Sequence, residues 1–131
     1  MWQRYQYCDP QGKHSYFVYT PETYQISPPV PLVVMLHGCT QTAADFATGT
    51  SMNLLAEQHG FVVLYPQQTG ASNLRRCWNW FLPENQQRGC GEPARIVGMI
   101  KDLRQRTTRW IIDPARIYVA GLSAGASMAI I

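Results

Sequence analysis

The pentapeptide Gly121-Leu122-Ser123-Ala124-Gly125 has the G-x-S-x-G spacing of a nucleophilic serine on a tight turn. A serine hydroxyl attacks a carbonyl only if a base takes its proton and donors stabilise the oxyanion that forms. The strand-like run Arg116 to Ala120 leads directly into the motif, and the small residues Ala124 to Ala129 leave it. Strand, tight turn and helix in that order force the serine into a strained backbone conformation and present its hydroxyl at the strand's carboxyl end. Side chains at Gly121 or Gly125 would collide with the neighbouring strand and helix. The helix N-terminus beneath Ser123 adds free N–H groups and a partial positive charge. The alternative for Ser123 is an N-cap on a helix packed close to the sheet.

Leu36-His37-Gly38-Cys39-Thr40-Gln41 directly follows another apolar run. An oxyanion hole of this type takes one main-chain N–H from such a strand-to-helix loop and one from the residue after the nucleophile. Those residues are Cys39 and Ala124, with His37 and Gly38 shaping the loop. His37 is read as a bracing histidine, since it stands just before the glycine; the competing reading is a catalytic base. Trp78, Trp80 and Phe81 lie in a long polar stretch, residues 67 to 92. There they either line a binding face or pin the loop, and Trp80 is the candidate substrate contact.

These groups need a scaffold. Within the first thirty residues, Arg4 to Asp9 and His14 to Thr20 read as a hairpin turning at Pro10-Gln11-Gly12, and Ile26 to Pro31 as a stiff connector. Leu32–Leu36 and Phe61–Pro66 are continuous apolar runs, as in strands buried on both faces. Residues 39 to 50 read as a polar loop, and 51 to 59 as a helix stopped by Gly60. A second helix opens at Glu92-Pro93, with Ile96, Val97, Ile100 and Leu103 as its apolar stripe and Met99 flanking it. Ile112 to Gly121 supplies a turn and a third strand. Alternating strands and helices imply an α/β fold: a hairpin, then a mostly parallel sheet with right-handed crossovers.

Composition narrows the function classes. The 131 residues are 46% hydrophobic and 15% charged, enough for one domain with a core. The net charge of +3 is spread along the chain and does not argue for nucleic acid. No apolar run approaches the roughly 20 residues of a membrane span, and the N-terminus has no signal-peptide core. Cys8, Cys39, Cys77 and Cys90 allow three full pairings, among which sequence does not choose. Without a C-x2-C pair a zinc site is not expected. Gly12-Lys13 lacks the surrounding residues of a phosphate loop.

Together, "LHGCTQ", "GTSMNLLAEQHGFVVLYPQQ", "CWNWF", "RGCGEP" and "DPARIYVAGLSAGASMA" resemble the N-terminal half of the polyhydroxybutyrate (PHB) depolymerase family of esterases. That family lies near feruloyl and acetylxylan esterases in the α/β-hydrolase superfamily. The resemblance implies Ser123 as nucleophile, Cys39 and Ala124 amides as oxyanion hole, and the Trp-rich loop beside the acyl or polymer site. It also implies export, an acyl-enzyme, no cofactor, and an ester substrate, either a polyhydroxyalkanoate or an aryl or acetyl ester. The resemblance also implies a Cys39–Cys77 bridge, with Cys77–Cys90 as its rival. In this superfamily the triad runs Ser, Asp or Glu, then His. His14, His37 and His59 all precede Ser123. The expectation is therefore a single truncated α/β-hydrolase domain over 1–131, lacking the C-terminal strands and helices and with little activity alone. The alternatives are a feruloyl or acetylxylan esterase and a non-catalytic truncated module.

Overall fold

The computed structural model describes residues 1–22, 29–106 and 111–131. Strands β1 (Trp2–Asp9) and β2 (Gly12–Tyr19) form the expected antiparallel hairpin. Then come β3 (Val30–Leu36), helices α1 (Ala43–Thr50) and α2 (Met52–His59), and β4 (Val62–Pro66). A short 3-10 turn (Pro83–Asn85) interrupts the long loop before α3 (Gly91–Arg106), β5 (Ile112–Gly121) and α4 (Ala124–Ile130). The first residues of the expected connector, 26 to 28, lie outside the described residues, as does the end of the second expected helix beyond Arg106.

The sheet order is β1-β2-β4-β3-β5. The pairs β3–β4 and β3–β5 are parallel, while the hairpin joins β4 antiparallel through β2. The chain thus runs from β3 to β4 on one side and returns to β5 on the other. β3 is the point where the winding reverses, and in open α/β sheets ligands bind outside the carboxyl ends of strands at such a switch. The expected turn at Asp113 appears as a bulge inside β5. Val30 pairs with Ile112 and Leu32 with Ile117, so residues 113 to 116 loop out of register. Asp113 closes that bulge, accepting from the Ala115 amide at 2.9 Å and Arg116 Nε at 2.8 Å.

Two apolar layers sandwich the sheet. On one face Leu32, Val34, Leu36, Val62 and Leu64 pack with Ile96, Met99 and Leu103 of α3 and with Met128 of α4. On the other, Met35, Val63 and Tyr65 pack with Ala43, Phe46 and Ala47 of α1 and Ala56 of α2. In α3 the stripe is rotated relative to expectation: Met99 is fully buried and Val97 is exposed. Burial on both faces is why these strands read as continuous apolar runs.

Helix α1 corrects the expected polar loop. The Thr42 hydroxyl accepts from the Asp45 amide at 3.0 Å, and the Asp45 carboxylate accepts from the Thr42 amide at 3.1 Å. This capping box satisfies two of the orphan donors at the helix start. Ala43, Phe46 and Ala47 then bury one face at helical spacing. Among the described residues no helix is long and apolar enough to cross a membrane.

Candidate active site

At the carboxyl end of β5 the backbone turns sharply into α4. Ser123, at the N-cap, has φ 57° and ψ −118°, a region that L side chains rarely occupy. Holding such a residue costs about 1–3 kcal/mol and persists only where surrounding packing enforces it. Here the Leu122 amide donates to the Leu36 carbonyl at 3.2 Å, tying the turn to the end of β3. A Cβ on Gly125 would stand 2.6 Å from the His37 carbonyl oxygen, and one on Gly121 would stand 2.7 Å from the Ala126 amide nitrogen. Both contacts are with backbone, which cannot rotate away. The two glycines are therefore what lets the turn close against β3 and its own helix.

The loop after β3 lies against this turn. A Cβ on Gly38 would meet the Leu122 carbonyl at 3.3 Å and Ser123 Cβ at 3.6 Å. The Gly38 amide donates to Gln41 Oε1 at 2.7 Å, so Gln41 holds the loop from within. The amides of Cys39 and Ala124 have no acceptor among the described residues. Ser123 is exposed, Cys39 is half-buried and Ala124 is buried. Ser123 Oγ makes no hydrogen bond among the described residues.

His37 is fully buried, with both ring nitrogens occupied. Nδ1 donates to the Gly38 carbonyl at 2.8 Å, and Nε2 accepts from the Gln68 amide at 3.0 Å. This pattern requires the neutral ring with its proton on Nδ1. Burial holds its pKa below the ordinary value, despite the opposing bond to Gly38. The ring braces the loop and has no nitrogen left for proton transfer. His14 is engaged elsewhere, at 2.9 Å from Asp9 in the hairpin. His59 is an exposed residue at the end of α2.

The long loop is fastened from both sides. A disulfide joins Cys39 to Cys77, leaving Cys8 and Cys90 as free, exposed thiols. The Thr40 amide donates to the Arg75 carbonyl at 2.6 Å. Trp78 is fully buried and its indole N–H donates to the His37 carbonyl at 3.1 Å, which makes it part of the scaffold. Trp80 is 40% exposed and stacks edge-on with Phe81, which is 54% exposed. No hydrogen bond or ring contact links Trp80 to Ser123 among the described residues.

A buried carboxylate anchors the far end of the loop. Glu92, in the first turn of α3, accepts from Gln68 Nε2 at 2.6 Å, the Asn79 amide at 2.6 Å and Asn79 Nδ2 at 2.9 Å. Its own amide donates to Asn85 Oδ1 at 2.8 Å. Sequence reasoning gave Gln41 and Gln68 no role and Glu92 only that of opening a helix. Their signal is weak: polar residues beside a glycine loop or a helix start are commonplace until burial is known. Among the described residues no cluster of three or more His, Cys, Asp or Glu could hold a metal ion.

The family model described as esterase PHB depolymerase matches residues 14–131. The chain belongs to the PHB depolymerase esterase family. It is 50% identical over 99 residues to poly(3-hydroxyalkanoate) depolymerase C of Paucimonas lemoignei, covering 75% of this chain and 23% of that protein. It is 30% identical over 112 residues to feruloyl esterase B of Neurospora crassa, covering 86% of this chain and 36% of that one. Among solved structures, an acetyl xylan esterase from Aspergillus awamori superposes with a TM-score of 0.76 at 24% identity, over 96% of this chain and 44% of its own. That likeness establishes the α/β-hydrolase-type fold. This PHB depolymerase family chain thus spans well under half the length of the relatives it matches.

Proposed function

We propose that this chain supplies the nucleophile and oxyanion hole of a secreted carboxylic ester hydrolase acting on polyhydroxyalkanoates. The observation that carries the reading is the exposed Ser123 held at φ 57° against the Gly38 loop, with the amides of Ala124 and of Cys39 in that loop lacking acceptors among the described residues. Backbone strain of this kind clusters where the geometry it creates is used. Ser123 Oγ attacks the ester carbonyl carbon as a histidine base takes its proton. The carbonyl oxygen becomes an oxyanion and accepts from the two amides. The carbon–oxygen bond to the alcohol breaks, the histidine returns its proton to the departing alcohol, and water then releases the acid from the acyl-serine.

His37 has both ring nitrogens spent on backbone groups and His14 is held by Asp9, so neither is free to serve as the base, and residues 1–131, read as one domain, should show little turnover by themselves. Polyhydroxyalkanoate is preferred over feruloyl or acetylxylan esters because identity is 50% to the depolymerase and 30% to the feruloyl esterase. Trp80 and Phe81 offer an apolar surface suited to a polyester chain. The Cys39–Cys77 disulfide fits an oxidising compartment outside the cytosol.

The test is fluorophosphonate labelling of the protein carrying the base and acid, beside Ser123→Ala and Gly125→Ala controls. Labelling that disappears in both variants is expected. Absence of labelling in that folded protein refutes Ser123 as the nucleophile. For the protein carrying the base and acid, faster release of soluble acid from polyhydroxybutyrate film than from feruloylated or acetylated xylan is expected, and the reverse order refutes the substrate assignment.

A further inference from the structure

Away from Ser123, a cavity of about 300 Å³ opens between the β1–β2 turn and the first turn of α3. Tyr7, Asp9, Gln11, Gly89, Gly91 and Arg95 line it. Arg95 is the unusual member. Its side chain is 4% exposed, and its Nη1 is buried with no hydrogen-bond partner among the described residues. Buried guanidinium nitrogens are almost always paired, because leaving a charged donor unsatisfied is costly.

The other two nitrogens define which edge remains. Nε donates to Asp9 Oδ2 at 2.9 Å and Nη2 donates to Gln11 Oε1 at 2.6 Å. A guanidinium has two edges that can each hold a pair of oxygens, one between Nε and Nη2 and one between Nη1 and Nη2. Asp9 holds Nε on the first, while Gln11 sits on Nη2, the nitrogen both edges share, and leaves Nη1 beside it unmet. Asp9 is already paired with Arg95 and lies 2.9 Å from His14 Nε2. Gln11 is exposed on the turn, so its side chain is the movable wall of the cavity. The opposite wall is the start of a 16-residue helix, whose N-terminus carries a partial positive charge.

We propose that this cavity binds a small carboxylate, which displaces the Gln11 amide and takes the Nη1/Nη2 edge of Arg95. Two parallel N–H donors match the two oxygens of a carboxylate, whereas an uncharged amide presents one acceptor and leaves the second donor unmet. Neither Ser123 nor the two amides beside it takes part, so this site stands or falls independently of ester hydrolysis.

The experiment is amide NMR of the isotope-labelled 131-residue chain, titrated with acetate and separately with acetamide. Saturable acetate shifts centred on Gln11, Gly89, Gly91 and Arg95 are expected, with acetamide weaker by about tenfold or more. Arg95→Lys keeps a cation for Asp9 but lacks the fork, and acetate affinity should fall about tenfold with the fold retained. Gln11→Ala removes the competing acceptor and should tighten acetate several-fold. No shifts at these residues, equal shifts from acetamide, or shifts confined to Cys39 and Ala124 would overturn the proposal. Should Arg95→Lys not fold, unchanged acetate affinity in Gln11→Ala overturns it by itself.

Discussion

Replacing Ser123 by glycine separates what its backbone costs from what its hydroxyl contributes. Ser123→Ala and Ser123→Gly both delete the hydroxyl, which makes no hydrogen bond among the described residues, so neither loses a bond the other keeps. Alanine retains a Cβ at φ 57° and ψ −118°, while glycine occupies that region without strain. Relief is worth about 1–3 kcal/mol. Glycine also frees the unfolded chain, which offsets about 0.4–1 kcal/mol. Taking the middle of each range, the net gain is about 1.3 kcal/mol for glycine over alanine. For 131 residues the entropy of unfolding converts each kcal/mol into roughly 3–4 °C. Thermal unfolding followed by circular dichroism should therefore place Ser123→Gly about 4–5 °C above Ser123→Ala, which should match the unsubstituted chain. Equal midpoints for the two variants would refute the assignment of stored strain to Ser123.

Gly125→Ala drives a methyl into the His37 carbonyl and should destabilise by about 1–3 kcal/mol, whereas Gly38→Ala meets the flexible Gln41 side chain at 3.2 Å and should cost less than half as much in the same melts. Replacing Cys39 and Cys77 together by serine opens a loop closed across 38 residues, and denaturant titration should read a loss of about 4 kcal/mol if the unfolded chain's entropy governs. His37 is held neutral by burial, with its folded pKa below the ordinary 6.5. The unfolded chain binds that proton more readily, so stability is full above about pH 6.5 and falls as pH drops below it. Melting midpoints between pH 7.5 and 5 (roughly the range where an ordinary imidazole titrates) should decline, and less so in a folded His37→Asn variant.

The strands and the turn were legible because their signals are local. Leu32 to Leu36 and Phe61 to Pro66 announce double burial by continuous hydrophobicity, and G-x-S-x-G after a strand has few other uses. Helix α1 was hidden because its start signal is faint: Thr42 with Asp45 is a capping box with a shorter acid than usual, and Gly49 and Thr50 weaken the helix's propensity. Trp78 and Trp80 look alike in the chain, yet one is core and the other exposed. Only the approach of residues 37 and 78, distant in sequence, separates them. The same holds for His37, whose two nitrogens are spent on backbone groups from different loops.

The carboxylate of Glu92 ties three segments on this side of the molecule together. It is buried only when Gln68, Asn79 and the start of α3 arrive together, since it accepts from both side chains and its amide donates to Asn85. A charge without those partners is far more stable in water. Opening the loop between Gln68 and Asn85 strands the Glu92 charge even while the disulfide holds, so local opening near the rim of the site is expected to be coupled to the first turn of α3 at the loop's far end.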